Sequence, residues 1–500
     1  MFERFKNAIK GGLAKLNIIK SLNKVSDHKQ INQNSLMYDK IDIWRQIYSG
    51  MYEDIHKLDY QTIEGPRTRT IQSMQIAKIS TNEMASLIYN EKCEINIDNE
   101  TVDAFVKEVF KNNKFDKNFQ DYLEYAFAMG GMAIKPYYDS EKQRIMLSFV
   151  SADNFVPVSW RNGNIYEALF HNTFKERDKF YTHLEWHKWD ENIYTVTNEL
   201  YEAGVENEIG IKVSLKSSSR TENLEPVVTI GLIKQALFSY FKPNTANNFE
   251  LNSPLGISIY GNAVDTIRAI DTAFDSFHRE FRLGKKRILV PSRFIKTVVD
   301  PNTGATSRYF DATDETYEAF NGEMDDNAQI KDISTELRVE EHVSAINALL
   351  NIYAMQTGFS AGTFTFNGQS MKTATEVISE NSKTYKTKQS HQIIIEEGIR
   401  ELVGSIVALG QLYDLINFTD DYELTVVFDD SIAQDKTADT NQQIQLVSAG
   451  LQSKRRAIME IFGLSEDDAQ EVLMQIIEEE NMTAPQRDNI ESAFFGPSEE

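Results

Sequence analysis

The sequence predicts an α+β protein that contains more helix than strand. Its 500 residues are 41% hydrophobic and 11% aromatic, so the chain can bury a sizeable core and form more than one domain. Two periodicities predict this class. Apolar residues recur every three or four positions in several long segments, as on one face of a helix, and every second position between residues 132 and 216, as in strands.

The first 30 residues fit a basic amphipathic helix. Its apolar positions are Phe2, Phe5, Ile9, Leu13 and Leu16. Such a helix docks on its own protein or on a partner more often than it lies on a membrane surface, and we expect docking. No run of about 18 apolar residues occurs in the chain, so we expect no membrane span.

Helical spacing over residues 65–130 predicts helices that stop at Gly130. Alternating segments then predict antiparallel strands joined by polar turns, with a loop over 216–226. The strand segments are AIKPYYD, IMLSFV, EALFHNTF, FYTHLEWHKW and NIYTVTNELY.

Two later segments carry long apolar stripes typical of helices. The first segment covers residues 254–284 and opens with the helix-start signal Ser253-Pro254. Its apolar positions are Tyr260, Val264, Ile267, Ile270, Phe274, Phe277 and Phe281. The second segment covers 338–357, and strand-like sequence with a turn at 300–304 lies between the two. Helices of this kind need a packing partner along the whole stripe.

The stretch TGFSAGTFTFNGQSMKTATE (357–376) follows the second stripe. It is either a flexible projecting loop or an ordinary linker whose phenylalanines pack in the core. After it, 371–416 contains no proline and predicts one long helix with a polar first half and an apolar second half. The strand ELTVVFDD and a helical tail over 440–482 complete the chain.

The formal net charge of −23 disfavours tight binding to nucleic acid, because a protein that grips phosphates needs lysines and arginines. The charge is uneven. Residues 463–500 hold eleven acids and the single base Arg487, which predicts a solvated tail. The stretch from Arg279 to Lys296 holds seven bases and the single acid Glu280. These bases either interact with a helix C-terminus or face a polyanion or partner.

Catalysis is not indicated, and we expect no cofactor. The chain lacks the phosphate-binding pattern GxxxxGK[ST] and the nucleophile pattern GxSxG. A single cysteine, Cys93, at a helix-to-strand transition, excludes a multi-cysteine zinc site. His183, Glu185 and His187 alternate along one predicted strand and so share a face, which could hold a metal; exposed strands often carry such residues, and we expect none.

Asp429 and Asp430 end the strand ELTVVFDD. An apolar strand ending in acids also occurs in nucleotide-hydrolysing motors, but that function requires the phosphate loop that is missing here. We expect the two carboxylates to cap a following helix.

The order of these elements resembles that of the portal protein (head–tail connector) of tailed bacteriophages, in the form found in siphophages of Gram-positive hosts. The resemblance covers residues 75 to 480 and rests on several stretches in the same order. They are TNEMASLIYNE (81–91), YAFAMGGMAIKPYYD (125–139), FVSADNFVPVSW (149–160), SPLGISIYGNAVDTI (253–267), RLGKKRILVP (282–291) and AMQTGFSAGTFTFNGQSMKTATEVISENSKTY (354–385).

The resemblance implies a predominantly helical portal fold with wing, stem, clip and crown regions. In this chain these would be 1–253 (N-terminal region and wing), 254–284 (first stem helix), 285–337 (clip), 338–357 (second stem helix), 358–371 (tunnel loop), 372–430 (long wing helix and strand) and 431–500 (helical crown and acidic tail).

The resemblance also implies a non-enzymatic function in the virion. Twelve copies would form a ring at one capsid vertex, assembled in the host cytoplasm, and double-stranded DNA would pass through it without sequence specificity during packaging and ejection. The ring would bind the terminase large subunit, a head–tail adaptor, and the major capsid and scaffolding proteins. The alternatives are another virion structural or head-assembly protein, or a metal-dependent hydrolase.

Two sets of residues are the candidate sites that the resemblance implies. The tunnel loop would present Phe364, Thr365, Phe366, Asn367, Gly368, Gln369 and Ser370 to DNA, with Gly362 and Gly368 allowing it to bend. A basic collar at the stem–clip passage would consist of Arg279, Arg282, Lys285, Lys286 and Arg287.

Overall fold

The structure is a computed structural model. It describes residues 21–22, 36–206, 208–231, 233–284, 288–291, 297–299, 304, 306–308, 317–320, 331–332, 336–366, 374–417, 421–429, 436–462 and 464–483. The chain divides into two compact units, Met1–Gly368 with Lys383–Asp429, and Gln369–Ser382 with Asp430–Glu500.

Helices are numbered in chain order. They are α1 Leu36–Tyr48, α2 Glu53–His56, α3 Ile76–Ile88, α4 Glu100–Asn112, α5 Phe115–Met129, α6 Val264–Leu283, α7 Val339–Thr357, α8 Ala374–Leu412, α9 Lys436–Ser448, α10 Lys454–Phe462 and α11 Glu466–Thr483. No helix in the described part of the chain is long and apolar enough to cross a membrane.

Strands are numbered in the same way. They are β1 Ser21–Leu22, β2 Lys57–Thr62, β3 Gly65–Thr70, β4 Glu94–Ile97, β5 Met132–Asp139, β6 Arg144–Ser151, β7 Phe155–Arg161, β8 Asn164–Glu176, β9 Lys179–Asp190, β10 Ile193–Ala203, β11 Gly210–Val213, β12 Val227–Ile230, β13 Ser239–Phe241, β14 Ile288–Pro291, β15 Thr297–Val299, β16 Thr306–Arg308, β17 Tyr317–Phe320, β18 Lys331–Asp332 and β19 Leu424–Val427. The mixture of helices and mainly antiparallel strands confirms the predicted α+β class.

The largest sheet is antiparallel and has the order β1-β11-β10-β9-β8-β7, with β12 also pairing with β10. Tight turns join its central strands, as the alternating pattern predicts. Between β7 and β8, Asn162 and Gly163 both have positive φ (53° and 83°), the backbone that a two-residue hairpin turn requires. At the edge of this sheet Ser21 and Leu22 pair with β11, so the predicted N-terminal helix is wrong there. Its five apolar positions lie outside the described residues.

A second sheet, β13-β5-β6, packs with helices of the main core. The rings of Phe115 and Phe119 on α5 stack at 4.9 Å, and Phe119 meets Phe241 of β13 edge to face at 5.3 Å. Helix α5 ends where predicted, because Gly130 adopts a left-handed φ of 89° and its N–H caps the helix by bonding to the backbone oxygen of Ala126.

The prediction that residues 65–130 are helical is wrong at its beginning. Strand β3 pairs with β2 in a hairpin, and α3 begins at Ile76. Gly65 closes the hairpin with a φ of 120°, and the threonines at 62, 68 and 70 favour strand because they are β-branched. A short strand, β4, then separates α3 from α4 and pairs with β19.

The prediction that the first striped helix begins at Pro254 is also wrong, because α6 begins at Val264. Residues 254–263 form an irregular buried segment, in which the Tyr260 hydroxyl donates to the backbone oxygen of Trp44 at 2.8 Å. A Cβ added to Gly256 would lie 2.3 Å from the carbonyl oxygen of Gly130. This backbone-to-backbone approach favours an irregular path over a helix.

Between α6 and α7, β14 pairs in parallel with β17 and antiparallel with β18. Strands β15 and β16 pair antiparallel on either side of the turn predicted at 300–304. The predicted strand-like character of this segment is therefore confirmed for its described residues.

The predicted long helix over 371–416 is present as α8, which ends at Leu412. Its apolar second half enters the main core through Ile395, Ile399, Leu402, Val403 and Ile406. Its polar part is not all solvated. Lys388 is buried and donates to the backbone oxygen of Asp429, and burial lowers the pKa of His391 to about 4. The predicted helical tail consists of α9, α10 and α11.

Candidate functional site

Helices α6 and α7 pack side by side in opposite directions. Near the start of α6 the Thr266 hydroxyl donates to Oε1 of Gln356, near the end of α7, at 2.8 Å. At the other end, Nε and Nη2 of Arg338 donate to the two carboxylate oxygens of Glu280 at 3.1 and 3.0 Å, and these bonds lower the pKa of Glu280. Contacts at both ends define an antiparallel pair about 20 Å long.

A fully buried carboxylate on α6, Asp271, fixes this helix to the chain near the β2–β3 hairpin. It accepts hydrogen bonds from the backbone N–H of Met74 at 2.8 Å and from the hydroxyl of Ser73 at 3.0 Å. Its Oδ2 also lies 3.0 Å from Nε2 of His56, which is buried. Nothing in the sequence singles out this residue, since one aspartate on a striped helix gives no distinctive signal.

One turn further along, Asp275 binds the hairpin itself. The two terminal nitrogens of Arg69 donate to its two carboxylate oxygens at 2.8 and 2.7 Å. These hydrogen bonds are the main reason that the pKa of Asp275 is lowered. The hairpin and the first helix of the pair therefore form one connected structure.

The root of the loop after α7 is held on two sides. Gly358 ends α7 in the left-handed conformation, with a φ of 87°. The Ser360 N–H donates to Oγ1 of Thr384 on α8 at 2.8 Å, and the Thr384 N–H donates back to the Ser360 hydroxyl at 3.2 Å. Nζ of Lys383 donates to the backbone oxygen of Met355 on α7 at 2.6 Å.

Residues 361–366 then fold back along α7. Oδ1 of Asn351 accepts a hydrogen bond from the Gly362 N–H at 2.8 Å, and Oδ1 of Asn347 accepts one from the Phe366 N–H at 2.9 Å. Neither asparagine was predicted as a site residue; the one signal in the sequence is their spacing of four residues within the second striped segment.

The two phenylalanines of the loop differ in environment. Phe364 is partly buried, with its ring centroid 4.9 Å from that of Phe359 and 6.0 Å from that of Tyr353. Phe366 is 55% exposed. The Thr365 hydroxyl donates to the backbone oxygen of Gly362 at 3.1 Å, within the loop.

The outer face of α7 carries an exposed apolar stripe. Ala345, Ala348, Ile352 and Met355 are separated by steps of three and four, so they share one face of the helix. All four are exposed, Ile352 at 44% and Met355 at 62%. We call these four residues the α7 stripe.

A comparison with protein families decides the class of this molecule. The family model described as "Phage portal protein, SPP1 Gp6-like" matches residues 27–486. The chain belongs to this phage portal family.

Other comparisons add little to this assignment. Among solved structures, the chain is similar to a chain of the "Neck of empty GTA particle computed with C6 symmetry". That similarity has 10% sequence identity and a TM-score of 0.38, over 78% of this chain and 89% of the other. No curated protein matches.

Membership of this family confirms the resemblance to phage portal proteins. The family is structural and non-enzymatic, so the chain is a virion component with a portal or connector role and is not an enzyme. The metal-dependent hydrolase is therefore wrong.

The candidate metal ligands on β9 are His183, Glu185 and His187, and each makes hydrogen bonds to other side chains of the protein. On β9, His187 lies between Oε1 of Glu185 and the hydroxyl of Tyr194, at 2.8 Å from each, and His183 lies 2.9 Å from Oδ1 of Asn198. Burial alone would raise the pKa of Glu185, but the ammonium of Lys135 and the hydrogen bond to His187 outweigh it and lower that pKa. Within the described ranges, no group of three or more acidic, histidine or cysteine side chains could hold a metal ion.

The expectation that Asp429 caps a helix stays a prediction, because residues 430–435, which follow it, lie outside the described residues. Its Oδ2 accepts hydrogen bonds from Nδ2 of Asn90 at 3.2 Å and from Nζ of Lys92 at 3.4 Å. Asp430 lies outside the described residues.

The predicted collar and tunnel loop lie only partly within the described residues. Arg279 and Arg282 are exposed on the last turns of α6. The rest of the predicted collar (Lys285, Lys286 and Arg287) and of the predicted loop (Asn367, Gly368, Gln369 and Ser370) lies outside the described residues.

Proposed function

We propose that twelve copies of this chain form a ring at one vertex of the phage capsid, and that double-stranded DNA passes through the ring during packaging and ejection. The observation that carries the proposal is the α7 stripe. On a protein of the portal family, this helix leaves an apolar face exposed on the isolated subunit. A closed ring buries such a face in every subunit, since each copy presents one surface to the next.

The helix pair α6/α7 is the stem in this proposal. The predicted regions follow from it: 1–253 as N-terminal region and wing, 285–337 as clip, and 431–500 as crown and acidic tail. The terminase large subunit would dock on the clip during packaging and the head–tail adaptor afterwards. Major capsid and scaffolding proteins would surround the ring as it assembles in the host cytoplasm.

The charge and the loop support a channel for DNA. A net charge of −23 favours a passage through which a polyanion slides without sticking. Arg279 and Arg282 are exposed where α6 leads towards the clip, and the basic collar would begin with them. Phe366, the more exposed of the two loop phenylalanines, would face the DNA.

The proposal is tested by the mass and symmetry of the purified protein. Light scattering should give about 690 kDa for twelve chains of 57.3 kDa, and electron-microscope class averages should show a central hole. A protein that stays monomeric or dimeric at high concentration would contradict the proposal.

A substitution tests the stripe directly. Ile352→Lys places a charge in the subunit contact and should weaken each contact by about 2 kcal/mol, so that the ring dissociates at low concentration. Ile193→Lys is the matched control, because Ile193 lies on β10 and is 46% exposed against 44% for Ile352. Equal assembly of both variants would contradict a role of the stripe in the ring.

A further inference from the structure

We propose that Asn347 and Asn351 form a latch, which holds residues 361–366 against α7 and so sets how far the loop reaches into the channel. The inference deepens the proposed function and rests on it. It names two positioning residues in the stem helix rather than in the loop itself.

The two asparagines and the two loop amides have matching spacings. Asn347 and Asn351 are four residues apart on α7, so their side chains lie one above the other on the helix surface. The loop amides that they bind, those of Phe366 and Gly362, are also four residues apart, and they meet the helix in the reverse direction. Both hydrogen bonds therefore form together only when the loop runs back along the helix in compact turns.

The loop has the turns that this path needs. The N–H of Thr363 donates to the backbone oxygen of Ser360, and that of Thr365 to the oxygen of Gly362, each at 3.3 Å. Gly362 has a φ of 89°, which an L side chain rarely adopts. The sequence of the loop therefore suits a folded conformation against α7.

Phe364 adds an apolar anchor between the two hydrogen bonds. Its ring lies against Phe359 and Tyr353, and Tyr353 belongs to the buried core. The ring can stay there only while the backbone on either side of it is held close to α7. The two asparagine contacts and the partly buried ring therefore support one another.

The consequence is a segment, 360–366, that is fixed at both ends. The outer point is Phe366, held by Asn347, and the inner point is Ser360, held by Thr384 of α8. When the latch opens, the inner point remains and residues 361–366 become available for extension. Six extended residues span about 20 Å, so the open loop reaches much further from the stem than the latched loop.

The latch is tested first by hydrogen exchange, followed by mass spectrometry, on the assembled protein. The variant Asn347→Leu/Asn351→Leu keeps the side-chain shape and loses the acceptor oxygens, and should speed exchange in the peptide covering 361–366 about tenfold. The variant Asn347→Asp/Asn351→Asp keeps the acceptors and should exchange like the wild type. Ser344→Ala, on the exposed side of the same helix, is the control.

Unchanged exchange in the leucine variant, or an equal increase in the aspartate variant, would overturn the latch. The single variants Asn347→Leu and Asn351→Leu give the same test if the double variant fails to assemble. Each should speed exchange over 361–366, and a single variant with no effect would remove that residue from the latch.

The role of the latch in DNA passage needs a second readout. The leucine variants that assemble should change the amount of DNA packaged or retained per head at least severalfold, while Ser344→Ala should not. Faster exchange with unchanged packaging and retention would overturn the claim that the latch sets loop reach. If the proposed function itself were wrong, the wild-type protein would form no ring. That result differs from a failure of the latch, in which the ring forms but the variants behave like the wild type.

Discussion

Asp271→Ala should loosen the attachment of α6 more than any exposed substitution on the same helix. The carboxylate is completely buried and serves three donors, the N–H of Met74, the hydroxyl of Ser73 and the ring of His56. Alanine leaves these groups buried without an acceptor. The backbone N–H cannot rotate to another partner, so its desolvation cost is paid in full.

The magnitude follows from these contacts. One lost buried acceptor costs about 1–3 kcal/mol, and a carboxylate with several donors costs about 3–5 kcal/mol when it is removed. Nδ1 of His56 has no partner among the described residues, so Asp271 supplies the described polar contact of that ring. Asp271→Asn retains one acceptor oxygen, and its amide can donate to the other tautomer of His56. We therefore expect a loss of only about 1–2 kcal/mol for asparagine.

The assay is hydrogen exchange of a peptide that covers residues 71–76. Since about 1.4 kcal/mol corresponds to a tenfold change, Asp271→Ala should speed exchange about a hundredfold or more, and Asp271→Asn about tenfold. Asp265→Ala is the control on the same helix, because the Asp265 side chain is 98% exposed. An increase below about fivefold for alanine, or equal increases for alanine and asparagine, would refute the argument from buried donors.

Two further substitutions test other contacts. Because hydrogen bonds from Arg69 lower the pKa of Asp275 below 3.8, their contribution to stability is complete above about pH 4 and is lost as the pH falls through the folded-state value. The melting temperature of Arg69→Met should therefore decrease less than that of the wild type as the pH falls from about 5 to 2.5. An equal decrease in both proteins would contradict this. In Gly130→Ala the added Cβ would lie 2.5 Å from the carbonyl oxygen of Gly256. This substitution should lower the free energy of unfolding, measured with denaturant, by about 3 kcal/mol or more. Gly65 also has a positive φ, but a Cβ added there meets no atom, so Gly65→Ala should lower the free energy of unfolding by only about 1 kcal/mol. Equal losses in the two variants would exclude the contact with Gly256 as the cause.

Local periodicity was sufficient for much of the fold. Alternation over 132–216 predicted the central strands of the largest sheet, and spacing by three and four predicted α7, which runs Val339–Thr357. Gly130 marked a helix end because a left-handed C-cap needs a glycine in most helices. The family also followed from short stretches in order, since these are linear features of the chain.

The sequence by itself determined which faces are apolar, the central strands of the largest sheet and the two long helices α7 and α8, and that the chain belongs with the phage portals. Only the tertiary structure decided what each face meets. Helix α6 begins at Val264 because Gly256 packs against Gly130, far away in the chain, and the loop after α7 is held by asparagines that no loop pattern indicates. Periodicity reports the environment of a residue within one element, whereas such contacts depend on which distant segments the folded backbone brings together.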